Sequence, residues 1–229
     1  VASATFLTTM IDFEEPGDLG VFIDDDQIES LEQKMSRDGY LDGTDMATTF
    51  NMLRSNDLIW SFVINNYLMG DEPLAFDLLY WNSDSTRMPA KMHSEYLRTM
   101  YLENRFKESG GMVLDGVAID IPSVDTPCYF LSTQEDHIAP WRSTFAGASL
   151  LKGPIRFVLS GSGHIAGVVN PPESNKYGYR THRRRPKGDA DAWFESATRK
   201  EGSWWPDWQQ WVSKFSGTKA KPRKPGTKK

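Results

Sequence analysis

Residues 127–164, PCYFLSTQEDHIAPWRSTFAGASLLKGPIRFVLSGSGH, give the clearest indication of the fold class. It contains two short apolar runs, at 127–132 and 155–160, that are polar on neither face. Such runs are typical of strands that are covered on both sides of a parallel sheet. Residues 141–151 between them fit a crossover helix, so the segment predicts a right-handed strand–helix–strand unit. We therefore expect an α/β fold built on a parallel sheet.

The composition fits one globular domain with room for a large insertion. The chain has 229 residues, of which 39% are hydrophobic and 25% charged, and it contains no unbroken run of about 18 apolar residues that would predict a membrane span. The single cysteine, Cys128, excludes a disulfide framework and a multi-cysteine zinc site, and it favours a reducing, cytoplasmic setting. Residues 1–7 begin with Val1 and lack a signal-peptide charge pattern. We interpret the chain as a piece of a longer protein.

Charge is spread unevenly along the chain. Residues 216–229 (SGTKAKPRKPGTKK) carry +6, so that a net charge of −5 leaves −11 on the first 215 residues. A Pro, Gly and Lys tail without apolar residues predicts disorder, and weak contact with an anionic surface or nucleic acid is the alternative. The run at 182–185 (HRRR) is interpreted as a solvated surface loop, with anion binding as its alternative.

Residues 1–8 read as a buried strand, and the acidic residues 14–45 as surface loop with a short helix. In that region the run Asp24-Asp25-Asp26 is interpreted as a solvated loop rather than a metal site. Residues 57–68 predict a helix with Ile59, Phe62, Val63 and Tyr67 on one face and Ser55 or Asn56 as its cap.

A second helix is expected over residues 89–106, with a core-facing stripe of Met92, Tyr96, Met100 and Tyr101. The dipeptide Asp115-Gly116 between two apolar runs predicts a β-hairpin. Near the end, Trp208, Trp211, Val212 and Phe215 share one helical face after Pro206, which indicates a helix docked on the core.

Two candidate catalytic residues follow the two predicted core strands. Asp136 comes after the first strand and His164 after the second, 28 residues later. The ends of parallel strands meet at one edge of a sheet, and in α/β-hydrolases the order along the chain is nucleophile, acid, base. This pair matches the acid and the base. Glu135 is a second candidate for the acid, and His137 is interpreted as a structural group. The alternative to a catalytic role is that Asp136 only caps the helix that starts near Pro140.

The nucleophile of such a triad is not evident in the chain. No Gly-x-Ser-x-Gly or Gly-x-Cys-x-Gly motif occurs, and the nearest approach, Gly147-Ala148-Ser149, falls inside a predicted helix. Cys128 lies within a predicted strand, where a cysteine is usually a small buried apolar residue. We expect a nucleophile elbow upstream of this sequence.

Six blocks of the chain are informative together: residues 1–13 (VASATFLTTMIDF), 56–70 (NDLIWSFVINNYLMG), 76–84 (FDLLYWNSD), 135–141 (EDHIAPW), 162–172 (SGHIAGVVNPP) and 202–208 (GSWWPDW). In this order they resemble the C-terminal half of polyhydroxyalkanoate synthases. GHIAG at 163–167 and GSWWP at 202–206 resemble the short-chain, class I members more than the medium-chain ones. The resemblance runs from Val1 to about Phe215.

The resemblance implies an α/β-hydrolase fold in which His164 is the general base and Asp136 its acid. The family's nucleophile is a cysteine upstream of a segment like residues 1–13, and no residue here matches it. Family members polymerise (R)-3-hydroxyacyl-CoA into polyester and release CoA, which implies a CoA thioester as substrate and no resident cofactor or metal.

The resemblance also implies a domain layout and a set of partners. Residues 1–17 and 111–215 match the catalytic domain, residues 18–110 a mainly helical cap that contributes to a homodimer, and residues 216–229 the basic tail. The implied location is cytoplasmic, at polyester granules, with granule-associated proteins as partners and no role for nucleic acid. The alternatives are an esterase or polyester depolymerase with the same acid and base, or a non-enzymatic granule-binding or assembly module.

Overall fold

The computed structural model describes residues 1–53, 55–73, 84–222 and 226. They form two compact units: a sheet unit of residues 1–12, 107–109 and 120–229, and a helical unit of residues 13–106 and 110–119. The sequence block at 76–84 lies outside the described residues except for Asp84, as do 223–225 and 227–229 of the tail. The assignment of residues 18–110 as a cap stays a prediction.

The sheet unit is built on a mixed, mostly parallel sheet of five strands. Its order is β1-β4-β5-β6-β7, in which β1, β4 and β5 pair in parallel while β6 pairs antiparallel to both β5 and β7. A separate two-stranded hairpin joins β2 and β3. The strands are β1 (Ala4–Leu7), β2 (Val113–Leu114), β3 (Val117–Ala118), β4 (Cys128–Thr133), β5 (Ile155–Ser160), β6 (Tyr179–Thr181) and β7 (Thr198–Lys200).

Seven α-helices accompany the strands among the described residues. π-Helical segments occupy Asn56–Trp60, Val63–Leu68 and Leu97–Leu102, and short 3-10 turns lie at Gly17–Phe22, Arg105–Lys107, Ile121–Ser123 and Pro172–Ser174. The α-helices are α1 (Asp25–Asp38), α2 (Gly43–Leu53), α3 (Ala90–Tyr96), α4 (Trp141–Leu150), α5 (Ala166–Val169), α6 (Ala190–Ser196) and α7 (Trp205–Val212).

The predicted strand–helix–strand unit is confirmed. β4 and β5 pair in parallel register from Cys128 opposite Ile155 to Thr133 opposite Ser160, and α4 connects them. All six residues of β4 are buried, as the absence of a polar face predicted. β1 is also a strand, but its residues alternate between half-buried and exposed instead of being buried, because it lies at the edge of the described sheet and pairs with β4 alone.

Helices cover both faces of this sheet. On one face the ring of Phe157 in β5 makes edge contacts with Phe145 in α4 and Trp193 in α6, and the last two rings also pack against each other at a tilt. On the other face Tyr129 and Val158 pack around the fully buried Trp204, which directly precedes α7. The predicted docked helix at the end of the chain is thereby confirmed, since Trp208 and Trp211 are partly buried against this second cluster.

The parallel sheet expected from the sequence is present as β1, β4 and β5, but its antiparallel part was not predicted. β6 and β7 extend the sheet beyond β5 as two antiparallel strands. Each strand has three residues, too few to produce a visible alternation of polar and apolar side chains. In the basic run all three arginines are exposed, as predicted for a surface loop, and the Arg185 guanidinium also donates to the carbonyl oxygens of Lys152, Gly153 and Ser149.

In the helical unit the interpretation of Asp24-Asp25-Asp26 as a solvated loop was wrong. These residues begin α1, a helix of 14 residues, and the Asp24 side chain accepts a hydrogen bond from the Gln27 backbone N–H at 2.8 Å. Carboxylates are favoured at this position because they satisfy unpaired N–H groups and oppose the positive end of the helix dipole. Glycine at the other end of α1, Gly39, adopts φ +80° and ends the helix.

The helix predicted over 57–68 exists, but Ser55 does not cap it. Ser55 has helical dihedral angles and makes no side-chain capping bond, because residues 51–53 upstream are already helical. Ile59, Phe62 and Tyr67 are exposed rather than buried in the helical unit.

The helix predicted over 89–106 is confirmed in part, as α3 followed by the π-helical segment Leu97–Leu102. Tyr96 and Tyr101 pack edge-to-face with each other and with Phe13, whereas Met92 is exposed. The hairpin at Asp115-Gly116 is confirmed, and both turn residues have positive φ, as a type I′ turn requires.

Candidate active site

The loop that follows β4 holds the Asp136 carboxylate in a fixed position. Its Oδ1 accepts hydrogen bonds from the backbone N–H groups of Ile138 and Ala139, both at 2.9 Å. Its Oδ2 accepts a bond from the Thr133 hydroxyl, on the last residue of β4, at 3.1 Å. These three hydrogen bonds, two from the loop backbone and one from the end of β4, fix the orientation of the carboxylate and stabilise the loop.

The loop that follows β5 carries His164 and approaches its neighbours very closely. A Cβ on Gly167 would lie 2.5 Å from the Gly161 carbonyl oxygen and 2.6 Å from Cγ2 of Thr133. Any side chain there would displace the loop, so glycine at position 167 is required for this close approach. Ser162 has φ +70°, an uncommon conformation for a residue with a side chain and one often found at functional loops.

The structure brings the two candidate residues together at the C-terminal edge of the sheet. Nδ1 of His164 lies 2.8 Å from Oδ2 of Asp136. The Asp136 side chain is 0% exposed and the His164 side chain 30% exposed. A buried carboxylate that accepts from Nδ1–H fixes the imidazole tautomer and stabilises its cation, and it leaves Nε2 for proton transfer.

The electrostatics of Asp136 support an ionised carboxylate. Burial by itself raises the pKa of this carboxyl group, but the hydrogen bonds from His164 and from the backbone of Ala139 and Ile138 together outweigh burial, so the net pKa is lowered. The carboxylate is thus charged at neutral pH although its side chain is enclosed. This is the state needed to stabilise an imidazolium.

The other sequence candidates lie apart from this pair or have different environments. Glu135, the competitor for the acid, is exposed, and His137 is half-buried. Cys128 is fully buried, its Sγ contacts the Thr126 carbonyl oxygen at 3.1 Å, and burial raises the pKa of its thiol. Ser149 lies within α4, where its hydroxyl donates to the Ala146 carbonyl oxygen.

Sequence reasoning missed Thr133, whose hydroxyl donates to Asp136. Its position in the sequence could have indicated this role. Thr133 is a polar residue at the end of an apolar strand, close to the place where the candidate acid was expected. Asp136 is not the N-cap of α4, because Pro140 occupies that position. Its carboxylate instead accepts from the turn before α4 and contacts His164.

A cavity of about 380 Å³ opens beside the two loops, lined among others by Glu135, Ser162, Tyr177, Arg180 and Arg199. Within residues 1–53, 55–73, 84–222 and 226, no three histidine, cysteine or carboxylate side chains come together in the manner of a metal site. In the same part of the chain, no helix combines the length and the apolar character that crossing a bilayer requires.

Comparison with known proteins finds relatives along nearly the whole chain. It is 56% identical over 226 residues to the poly(3-hydroxyalkanoate) polymerase subunit PhaC of Rhizobium meliloti, and 51% identical over 228 residues to a poly(3-hydroxyalkanoate) polymerase of Methylorubrum extorquens. It is 42% identical over 223 residues to the corresponding subunit of Cupriavidus necator. These matches cover 99%, 99% and 95% of the chain but only 37% to 38% of the relatives. No family model matches the chain.

Proposed function

We propose that this chain, a homologue of the poly(3-hydroxyalkanoate) polymerases along 99% of its length, supplies the acid and the base of an acyltransferase that polymerises (R)-3-hydroxyacyl-CoA and releases CoA. The observation that carries the proposal is the 2.8 Å contact between His164 and the buried Asp136 at the edge of the sheet. His164 is the general base, Asp136 orients it, and a cysteine outside this chain is the nucleophile. The reaction uses no resident cofactor.

The chemistry proceeds in two acyl transfers. Nε2 of His164 takes the Sγ–H proton of the cysteine, and the thiolate attacks the thioester carbonyl carbon. The carbon–sulfur bond to CoA breaks, and the imidazolium returns its proton to the CoA sulfur. Nε2 then takes the proton of an incoming 3-hydroxyl group, whose oxygen attacks the acyl carbon of the acyl-enzyme and forms the new ester bond. The carbon–sulfur bond to the cysteine breaks, and the imidazolium returns its proton to the cysteine Sγ. Asp136 stabilises the imidazolium in both halves because its carboxylate is ionised and aligned with Nδ1.

The acid–base pair serves a polymerase and a hydrolase equally, since the two differ in the acceptor. A hydroxyacyl group as acceptor extends the polymer, whereas water releases a free acid. The homology to polymerases at 42–56% identity favours the hydroxyacyl acceptor. Exclusion of water from the site would then be required, because hydrolysis of the acyl-enzyme competes with chain growth.

The test replaces His164 by alanine in the full-length enzyme and measures CoA release from (R)-3-hydroxybutyryl-CoA. We expect turnover to fall by at least ~10²-fold, the usual effect of losing a general base. His182→Ala is the matched control, since that histidine belongs to the basic run and its ring accepts from the Arg184 backbone N–H. Near-normal turnover in the His164→Ala enzyme would remove His164 from the mechanism, and free 3-hydroxy acid as the product would replace polymerase by hydrolase.

We further propose that the enzyme belongs to class I, which uses short-chain substrates, and that it acts at polyester granules in the cytoplasm. We also propose that it is a homodimer and that residues 18–110 contribute to the dimer interface. Exposed apolar side chains on the helical unit, among them Trp60, Phe62 and Leu68, support an interaction surface there. Sedimentation equilibrium of the full-length enzyme with and without charged substitutions at these positions tests the dimer; a mass that does not change would contradict this interface.

A further inference from the structure

The helix that follows His164 has only four residues, and each of its carbonyl oxygens has a separate donor. The last carbonyl groups of a helix lack partners within it, and in α5 this holds for every residue except Ala166, which accepts from the C-cap residue. The Asn170 backbone N–H donates to Ala166, and the Ser160 hydroxyl to Gly167. The indole N–H groups of Trp204 and Trp205 donate to Val168 and Val169, both at 3.0 Å.

The two tryptophans that hold the end of α5 belong to a rigid part of the sheet unit. Trp204 is 0% exposed and stacks on Trp205 with ring centroids 4.1 Å apart. The next helix, α7, is fixed to the sheet through Asp207, which accepts from the Arg156 guanidinium in β5 and from the Tyr129 hydroxyl in β4. The indole donors are therefore attached to the same two strands whose C-terminal ends carry Asp136 and His164.

We propose that Trp204 and Trp205 are positioning residues of the acyltransferase, which set the place of His164 by fixing α5 through their indole N–H groups. This inference rests on the proposed function. One residue separates His164 from α5, and the His164 side chain is 30% exposed. Because α5 begins two residues after His164, the backbone position of His164 depends on where α5 lies.

The consequence is kinetic rather than a matter of substrate affinity. A shift of α5 moves the imidazole away from the Asp136 carboxylate and from the reacting atoms, and misplacement by about 1 Å can cost as much as ~10²-fold in rate. Neither tryptophan is proposed to touch substrate, so KM should change little. A purely structural role would lower the stability of the fold without this selective loss of kcat.

The experiment compares three conservative variants of the full-length enzyme: Trp204→Phe, Trp205→Phe and the control Trp208→Phe. Phenylalanine keeps an aromatic ring but removes the indole donor. The control loses a bond of the same length, since the Trp208 indole donates to the Thr5 hydroxyl at 3.0 Å, but on β1 instead of α5. We expect kcat for (R)-3-hydroxybutyryl-CoA to fall about tenfold or more in the first two variants, with KM within about twofold of the parent.

Thermal unfolding is measured alongside the kinetics, and the half-buried Trp205 provides the second variant if Trp204→Phe does not fold. The inference is overturned if the folded variants keep the kcat of Trp208→Phe. It is also overturned if KM alone changes. His164→Ala distinguishes failure of the proposed function from failure of the positioning role. If that variant stays active, the proposed function is wrong. If it is inactive and the tryptophan variants have the kcat of the control, only the positioning role is wrong.

Discussion

At the scale of single residues, the choice of Asp136 over Glu135 as the acid depends on burial and hydrogen bonding. The two carboxylates are adjacent in sequence, and spacing alone left both open. In the structure Glu135 is exposed, while the Asp136 side chain is enclosed and accepts from two backbone N–H groups, a hydroxyl and an imidazole. An enclosed, ionised carboxylate stabilises a neighbouring cation more strongly than a solvated one because less water screens it.

This assignment makes a prediction for Asp136→Asn in the full-length enzyme. The amide oxygen can still accept from Ile138 and Ala139, but the amide N–H₂ group would face Nδ1 of His164. Nδ1 then becomes the acceptor and Nε2 carries the proton, so His164 no longer starts as a base. We expect turnover to fall roughly 10²- to 10⁴-fold with little change in folding. Glu135→Gln is the control, and a comparable loss there would return the acid role to Glu135.

At the scale of the elements, the sequence predicted the parts whose signal is local. β4, α4 and β5 were predicted within one or two residues because continuous apolar runs flank an amphipathic segment, and the turn at Asp115-Gly116 because few dipeptides favour two positive φ angles. β6 and β7 were missed because three residues show no periodicity. The exposure of Ile59 and Tyr67 could not be predicted, since a helical stripe gives a face but not the partner that would cover it.

An ion pair links α1 to the segment Leu97–Leu102, and the pH dependence of the free energy of unfolding tests how much this pair stabilises the fold. Glu32 on α1 receives a bidentate pair from Arg98, at 2.8 and 2.9 Å, and a hydrogen bond from the Ser94 hydroxyl. The hydrogen bonds from Arg98 and then Ser94 lower the pKa of Glu32 from 4.5 to about 2. A lowered carboxyl pKa stabilises the folded state above pH 4.5, and this stabilisation is lost as the pH falls toward about 2.

We therefore expect Glu32→Gln to lower the free energy of unfolding near neutral pH by at most about 1 kcal/mol, since the pair is partly exposed. The difference from the parent should shrink as the pH falls from 4.5 toward 2. Urea unfolding followed by circular dichroism across this range measures it, with the exposed Glu29→Gln on the same helix as control. A difference that stays constant or grows toward low pH would show that Arg98 does not stabilise the ionised form of Glu32.

At the scale of the whole molecule, the chain contains the proposed acid and base, and its single thiol, Cys128, does not lie near them. Cys128 begins β4 and Asp136 follows its other end, so the length of a six-residue strand, about 20 Å at 3.3 Å per residue, lies between them. The thiol is also fully buried, and burial raises its pKa. A nucleophile needs exposure and a thiolate, and Cys128 has neither.

The isolated chain of 229 residues should accordingly release no CoA from (R)-3-hydroxybutyryl-CoA above the uncatalysed rate, although circular dichroism should show it folded. Cys128→Ser in the full-length enzyme should keep turnover within a few-fold, because the side chain is similar in size and takes no part in the chemistry. The two measurements check each other. Turnover by the isolated chain that disappears on Cys128→Ser would identify Cys128 as the nucleophile, and the acid–base pair would then have to reach it by a rearrangement of β4.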